Sequence, residues 1–253
     1  MHVYALSIAL LSLSTEAFCR SPIPEQPPLD RRATTEIPTD SFADLSTYWN
    51  YLYPWGDTHN GGARMDSAHV SVSSDGVLTL TAEPVSSDED ESIHYLSGTI
   101  HAKSTFTVEV GGGYDISAEF IAPVTTGTWP AFWLNAASGW PPEIDVAEWK
   151  GSGKISFNTF NTSDEVSALD VDYPSPEEWH SVRAEIRDEN GADVAVGFYL
   201  DGELVTTQYA RDYVGQGLRL IIDYQTEGSS GSPGPTETTT FQVRNVEVIN
   251  QNP

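Results

Sequence analysis

The chain has 253 residues, 39% of them hydrophobic, with 12 Lys and Arg against 37 Asp and Glu and a formal charge of −25. This length suits one large all-β or α/β domain and is ample for a buried core. Charge of this sign and size repels phosphate backbones and anionic surfaces, so nucleic-acid, membrane-surface and polyanionic-substrate roles are excluded, and neutral ligands or basic partners are favoured.

The first segment does not read as part of a fold. Val3 to Leu13 (VYALSIALLSL) is apolar and is followed by Ser-Thr-Glu and the small residues Ala17 and Cys19. That is the form of a secretory hydrophobic region with a cleavage site, although no Lys or Arg precedes it. It is shorter than the roughly 20 apolar residues that span a bilayer. Residues 1–19 are therefore expected to be a signal peptide, and the protein to be secreted and extracellular. Cys19 is the only cysteine, so cleavage after it leaves the mature chain with none. Residues 20–36 (RSPIPEQPPLDRRATTE) are rich in Pro and charge, and are expected to be disordered or a short propeptide, Arg31-Arg32 being either a dibasic processing site or a pair of arginines in a solvated tail.

A single body is expected over residues 37–253. Its texture is short alternating runs broken by turn residues. His69 to Val72, Ser74-Asp-Gly76 and Val77 to Thr81 read as strand, turn and strand. Thr105 to Val110, Gly111 to Gly113 and Tyr114 to Phe120 repeat the pattern, as do Ser181 to Arg187, Glu189-Asn-Gly191 and Val194 to Leu200. Thr239 to Ile249 is the last strand, and no long helical stretch or internal repeat is present. Many short strands in one domain of this length predict an all-β jelly-roll sandwich of two antiparallel sheets.

The chemistry lies in Trp140-Pro-Pro-Glu143-Ile-Asp145-Val-Ala-Glu148-Trp149. On a helix, Glu143 and Asp145 would point in nearly opposite directions. On a strand they share a face while Ile144 and Val146 bury the other. Glu148 has the wrong parity, and one β-bulge near Val146-Ala147 restores it to that face. The two glutamates then flank the aspartate and can lean towards each other, and two carboxyl groups about 5–5.5 Å apart are what a retaining glycosidase requires. A solvated strand face and a calcium site are the plainer readings. Against the first stand four bracketing tryptophans, Trp129, Trp133, Trp140 and Trp149. Against the second, the continuation Trp149-Lys-Gly-Ser-Gly153 lacks oxygen ligands of the lectin type.

These residues resemble the Glu-x-Asp-x-x-Glu signature of glycoside hydrolase family 16, in the bulged form of its laminarinase-like branches. Gly127 to Leu134, Glu178-Trp-His180, Phe198 to Gly202 and the closing strand follow in that family's order. The resemblance implies a concanavalin-A-like jelly roll with an open cleft, and retaining, endo-acting hydrolysis of a neutral polysaccharide by a monomer. It implies Glu143 as nucleophile, Glu148 as general acid/base and Asp145 as the group between them that orients the nucleophile. Trp129, Trp133 and Trp140 match positions whose rings line sugar subsites. Trp149, His59 and Arg64 are further candidates for sugar contact, core packing being the plainer reading of the aromatics. No cofactor or catalytic metal is implied, and a structural Ca²⁺ is left open.

The departures are informative too. Trp55 to Met65 does not match the Gly-Trp-Gly-Asn loop of laminarinases, Lys154 to Asn161 lacks the histidine many members carry, and Asp223 to Pro235 is unlike the usual ending. Together they resemble a fungal branch associated with endo-β-1,3-galactanase activity. An endo-β-1,3(4)-glucanase, a wall transglycosylase and a non-catalytic carbohydrate-binding protein remain alternatives. Of the other candidates, His180 is expected to be structural, Asn161-Thr-Ser163 is a glycosylation sequon, and Gly228 to Pro235 is expected to rim the cleft.

Overall fold

A computed structural model describes residues 33–86 and 88–251. The expected signal peptide, its cleavage sites and Arg31-Arg32 lie outside the described residues.

Two sheets pack face to face. One runs Glu203–Ala210, Val194–Leu200, His180–Asp188, Gly113–Ile121, Thr239–Asn250, Leu78–Pro84, Tyr95–Ser97 and Ala63–Met65 in spatial order, with Thr34–Ile37 and Val70–Val72 added beside it. The other, which carries the site, runs Glu165–Asp172, Lys154–Thr162, Glu143–Glu148, Thr128–Ala136, Gly217–Thr226, Thr99–Ala102 and Trp49–Tyr51, with Phe106–Thr107 pairing Gly217–Thr226. Pairing is antiparallel except between Ala63–Met65 and Tyr95–Ser97. The expected all-β jelly roll is thus the observed architecture. Helix among the described residues amounts to the turn Leu45–Tyr48 and three short 3₁₀ segments, and none is long and apolar enough to cross a membrane.

The core follows from alternation. Tyr114, Ile116, Ala118 and Phe120 are buried while the residues between them are partly exposed, and Val182, Ala184 and Ile186 do the same in the next strand. In Thr239–Asn250 the alternation changes phase. Phe241 and Val243 are buried, the register shifts between Arg244 and Glu247, and Val246 and Val248 are buried in turn. Asn245 absorbs the shift at φ 54°, a left-handed conformation that Asn tolerates.

Two sequence expectations need correction. Thr34–Ile37 is a strand, not a disordered segment: it pairs with Thr239–Asn250 and inserts Ile37, 1% exposed, into the core. One buried anchor among polar residues leaves too weak a pattern to read. The strand expected over Thr105 to Val110 is only Phe106–Thr107, because Val110 is exposed and the chain turns at Gly111.

The distribution of buried polar groups locates the site. Asp145, Glu148, Ser156, Asn158, Asp223 and Gln225 are all buried, and all lie on strands of the second sheet. A sheet face crowded with buried polar side chains is lined for a ligand, since each such group costs free energy unless hydrogen-bonded.

Candidate active site

Glu143–Glu148 lies between Thr128–Ala136 and Lys154–Thr162. Its register runs Leu134↔Ile144 and Trp133↔Asp145, then jumps to Phe132↔Ala147 and Ala131↔Glu148, leaving Val146 unpaired. On the other side Asp145 faces Asn158 and Glu148 faces Ser156, so two residues oppose one. This is the expected bulge, and it brings Glu148 back to the face of Glu143 and Asp145. Ile144 and Val146 are fully buried in the core. The backbone N–H of Glu143 donates to the Tyr213 hydroxyl at 2.9 Å, which anchors the start of the strand.

All three carboxylates line a cleft of about 660 Å³. Each flanking glutamate accepts a hydrogen bond from an indole: Trp140 Nε1 donates to Glu143 Oε2 and Trp129 Nε1 to Glu148 Oε1, both at 2.7 Å. Asn158 Nδ2 donates to Asp145 Oδ2 at 2.9 Å and to Glu148 Oε2 at 2.8 Å, and Lys150 Nζ reaches the same Oε2 at 2.8 Å. Three donors therefore converge on Glu148 and one on Glu143.

Burial pushes the Glu143 carboxyl up to about 7, with the charge of Glu148 adding to it and the Trp140 N–H opposing it. Burial likewise holds Asp145 well above the ordinary carboxylate range, reinforced by Glu148 and Glu143. Asp223, on the strand beyond Thr128–Ala136, is raised to about 7 by burial against the opposing bonds of Tyr53 and Trp133. For Lys150, burial works against the charge, but Glu148 and the other carboxylates outweigh it and raise the ammonium. Glu143 and Asp145, each raised by burial and by the charge of its neighbours, therefore titrate as a coupled group.

Trp129, Trp133 and Trp140 line the cleft as expected, with Trp140 44% exposed. Trp129 and Trp133 share a strand face, and Trp133 Nε1 donates to Asp223 Oδ1 at 2.8 Å. His59 also lines the cleft, its ring stacked on Trp133 at 5.6 Å and 25°, and burial lowers its proton affinity. Two candidates are not at the site. Trp149 is fully buried against Phe120, Tyr173 and Phe241, because the bulge that turns Glu148 outward turns its neighbour inward. Arg64 lies outside the cleft lining. Its guanidinium pairs with Asp57 at 3.2 Å and Asp88 at 2.7 Å, while Ala63 and Met65 on either side of it are buried. His180 belongs to the other sheet and is held by Asp201 and the Ser175 carbonyl, a structural role. Ser229, in the segment Gly228 to Pro235, does reach the cleft.

Asn158, Lys150, Asp223, Asn60, Asn135, Phe160 and Gln225 also line or support the site, and sequence reading did not find them. Lys150 carried a signal, since it has the strand parity of Glu148. Asp223 carried another, as the one acid in the run Leu220 to Tyr224. Among the described residues no cluster of His, Cys, Asp or Glu is arranged to hold a metal ion.

The fold and the site define a jelly-roll hydrolase of β-glycosidic bonds. No family model matches the chain. It is 49% identical over 225 residues to the galactan endo-beta-1,3-galactanase of Flammulina velutipes, covering 85% of this chain and 90% of that one. It is 34% identical over 148 residues to the endo-1,3-1,4-beta-glycanase EglC of Rhizobium meliloti, covering 49% of this chain and 31% of that one. Among solved structures, the endo-1,3-beta-glucanase of Streptomyces sioyaensis superposes with a TM-score of 0.68 at 22% identity, covering 82% of this chain and 91% of that one. The laminarinase catalytic domain of Thermotoga petrophila gives 0.64 at 19%, covering 81% and 91%. The chain belongs to glycoside hydrolase family 16, in the laminarinase-like group that includes the Flammulina galactanase.

Proposed function

We propose that this hydrolase is a secreted, endo-acting, retaining glycanase that cuts internal β-1,3 linkages of a neutral polysaccharide, its substrate being the β-1,3-galactan backbone of arabinogalactan. The observation that carries the mechanism is the Val146 bulge, which places Glu143, Asp145 and Glu148 on one face. The galactan assignment is supported by 49% identity across nearly the whole of a relative named for that activity.

Glu143 is the nucleophile. Its carboxylate attacks the anomeric carbon as Glu148 gives a proton to the departing glycosidic oxygen, leaving a glycosyl-enzyme ester on Glu143. Glu148, now ionised, takes a proton from water, and the resulting hydroxide displaces Glu143 with net retention. Glu143 must be ionised to attack, and the Trp140 N–H on its Oε2 stabilises that form. Asp145, joined to Glu148 through Asn158 Nδ2, lets the cluster keep a proton while Glu143 gives its own up. Trp129, Trp133 and Trp140 offer flat apolar faces to sugar C–H groups, and His59, whose Nε2 accepts from Asn60 Nδ2 at 3.3 Å, keeps its other ring nitrogen for a sugar hydroxyl. Anionic glycans would meet the acidic cleft unfavourably.

Product analysis on arabinose-stripped β-1,3-galactan and on β-1,3-glucan, with Glu143→Gln as control, tests the reading. Oligosaccharides from galactan alone, absent with the variant, are expected. Oligosaccharides from glucan instead would make the protein a glucanase. Products longer than the starting chains would make it a transglycosylase, and binding without cleavage of either polymer would make it a carbohydrate-binding protein.

A further inference from the structure

Two of the stretches that depart from the laminarinase pattern, around Trp55 to Met65 and Asp223 to Pro235, are packed on each other. Tyr53 OH donates to Asp223 Oδ2 at 2.7 Å. Gln225 Oε1 accepts from the Ala63 N–H at 2.9 Å, and its Nε2 donates to the Ala63 carbonyl at 3.2 Å. The Gly62 N–H donates to the Thr226 carbonyl at 2.7 Å. There is no room for a side chain along this seam: a Cβ on Gly61 would stand 2.4 Å from both Gln225 Oε1 and the Thr226 carbonyl, and one on Gly228 2.6 Å from the Asn60 carbonyl. Asp223 and Gln225 are alternate residues of one strand, so both tie the loop down from the same face.

The loop so clamped forms one wall of the cleft. Trp55 stacks on Tyr53 at 5.0 Å and 5°, His59 stacks on Trp133, and His59 and Asn60 face the cleft. Asp223 joins that wall to the floor, because its second oxygen accepts from Trp133 Nε1 and Trp133 is the register partner of Asp145. The Asp223 carboxyl is 3% exposed, and its hydrogen-bond partners among the described residues are these two aromatic donors rather than a cation. A buried carboxyl without a cation is costly to keep. Phe at position 53 and an apolar residue at 223 would fill the same space at less cost, so stability alone does not account for the pair.

We propose that Asp223 is a positioning residue for glycan specificity: by holding Tyr53 and Trp133 it fixes the wall that presents His59 and Asn60 to the sugar beside the catalytic strand. This rests on the hydrolytic reading above, and the two are separable. Tyr53→Phe removes only the loop-side bond, and Asp223→Asn perturbs both. KM, kcat and Tm are measured for wild type and both variants on whichever of β-1,3-galactan and β-1,3-glucan the wild type cleaves. The wild-type result then judges the function, and the variants judge Asp223. Tyr53→Phe should raise KM about three- to tenfold with kcat within twofold, the mark of lost binding shared by ground and transition states. Asp223→Asn should raise KM similarly and also lower kcat about tenfold, because Trp133 borders Asp145. Lower Tm with KM and kcat unchanged in both variants would reduce Asp223 to a structural tie and overturn the proposal. Unchanged KM in Asp223→Asn at unchanged Tm would overturn it equally.

Discussion

Glu148 and Trp149 are neighbours in the chain that face opposite sides of one sheet, the carboxyl in the cleft and the indole fully buried in the core. The unpaired Val146 decides which of the two faces the cleft. A regular strand would have buried Glu148 and left Trp149 facing the cleft.

Trp149 therefore acts on stability. Trp149→Ala removes a ring packed against Phe120, Tyr173 and Phe241 and should cost about 3–5 kcal/mol, a fall in Tm of roughly 10 °C for a domain of this size. KM of the protein that remains folded should be unchanged. Calorimetry and kinetics together check this, and a raised KM at unchanged Tm would contradict it.

Glu143 contributes to stability with the opposite sign. Burial raises it to about 7 from an ordinary 4.5, so between those pH values the folded chain binds a proton that the unfolded chain has released. Stability then falls as pH rises through that window. Above it, the ionised carboxylate costs of the order of 3 kcal/mol, and Asp223, also raised to about 7, acts in the same direction. Glu143→Gln should abolish turnover and yet raise Tm by about 5 °C at pH 8, with no gain at pH 4. A variant less stable than wild type at pH 8 would refute this.

Trp140 acts on the Glu143 carboxyl. Its Nε1–H donates to Glu143 Oε2 and opposes the upward pull of burial. Trp140→Phe keeps an aromatic face and removes the donor. The acid limb of the kcat/KM profile should move up by about one pH unit, the size of a hydrogen bond to a charged group. An unmoved limb with a raised KM would assign Trp140 to binding alone.

The strands that could be read from sequence were those with one buried and one solvated face. Val194–Leu200 agrees residue for residue with its expected bounds. Glu165–Asp172 escaped because neither of its faces is well buried, so its apolar residues carry no period. Gly217–Thr226 left its bounds unread for the opposite reason: its latter part is buried on both faces, one by the core and one by the cleft. The carboxylate triad could be read because all three members lie on one strand, where parity and a bulge decide the geometry. Asn158, Asp223 and Tyr53 could not, since their roles arise from pairing between distant segments: Asn158 meets Asp145 across 13 residues and Tyr53 meets Asp223 across 170. Arg64 misled for a related reason, as the acids that occupy it, Asp57 and Asp88, come from two separate loops.

The most direct test of the mechanism is to trap the covalent intermediate. The protein is incubated with an activated 2-fluoro β-1,3-galacto-oligosaccharide, digested, and the labelled peptide sequenced by mass spectrometry. The label should sit on Glu143, with release of the sugar slowed in Glu148→Ala and restored by azide. A label on Glu148 or Asp145, or turnover of galactan by an enzyme that forms no adduct, would contradict the account.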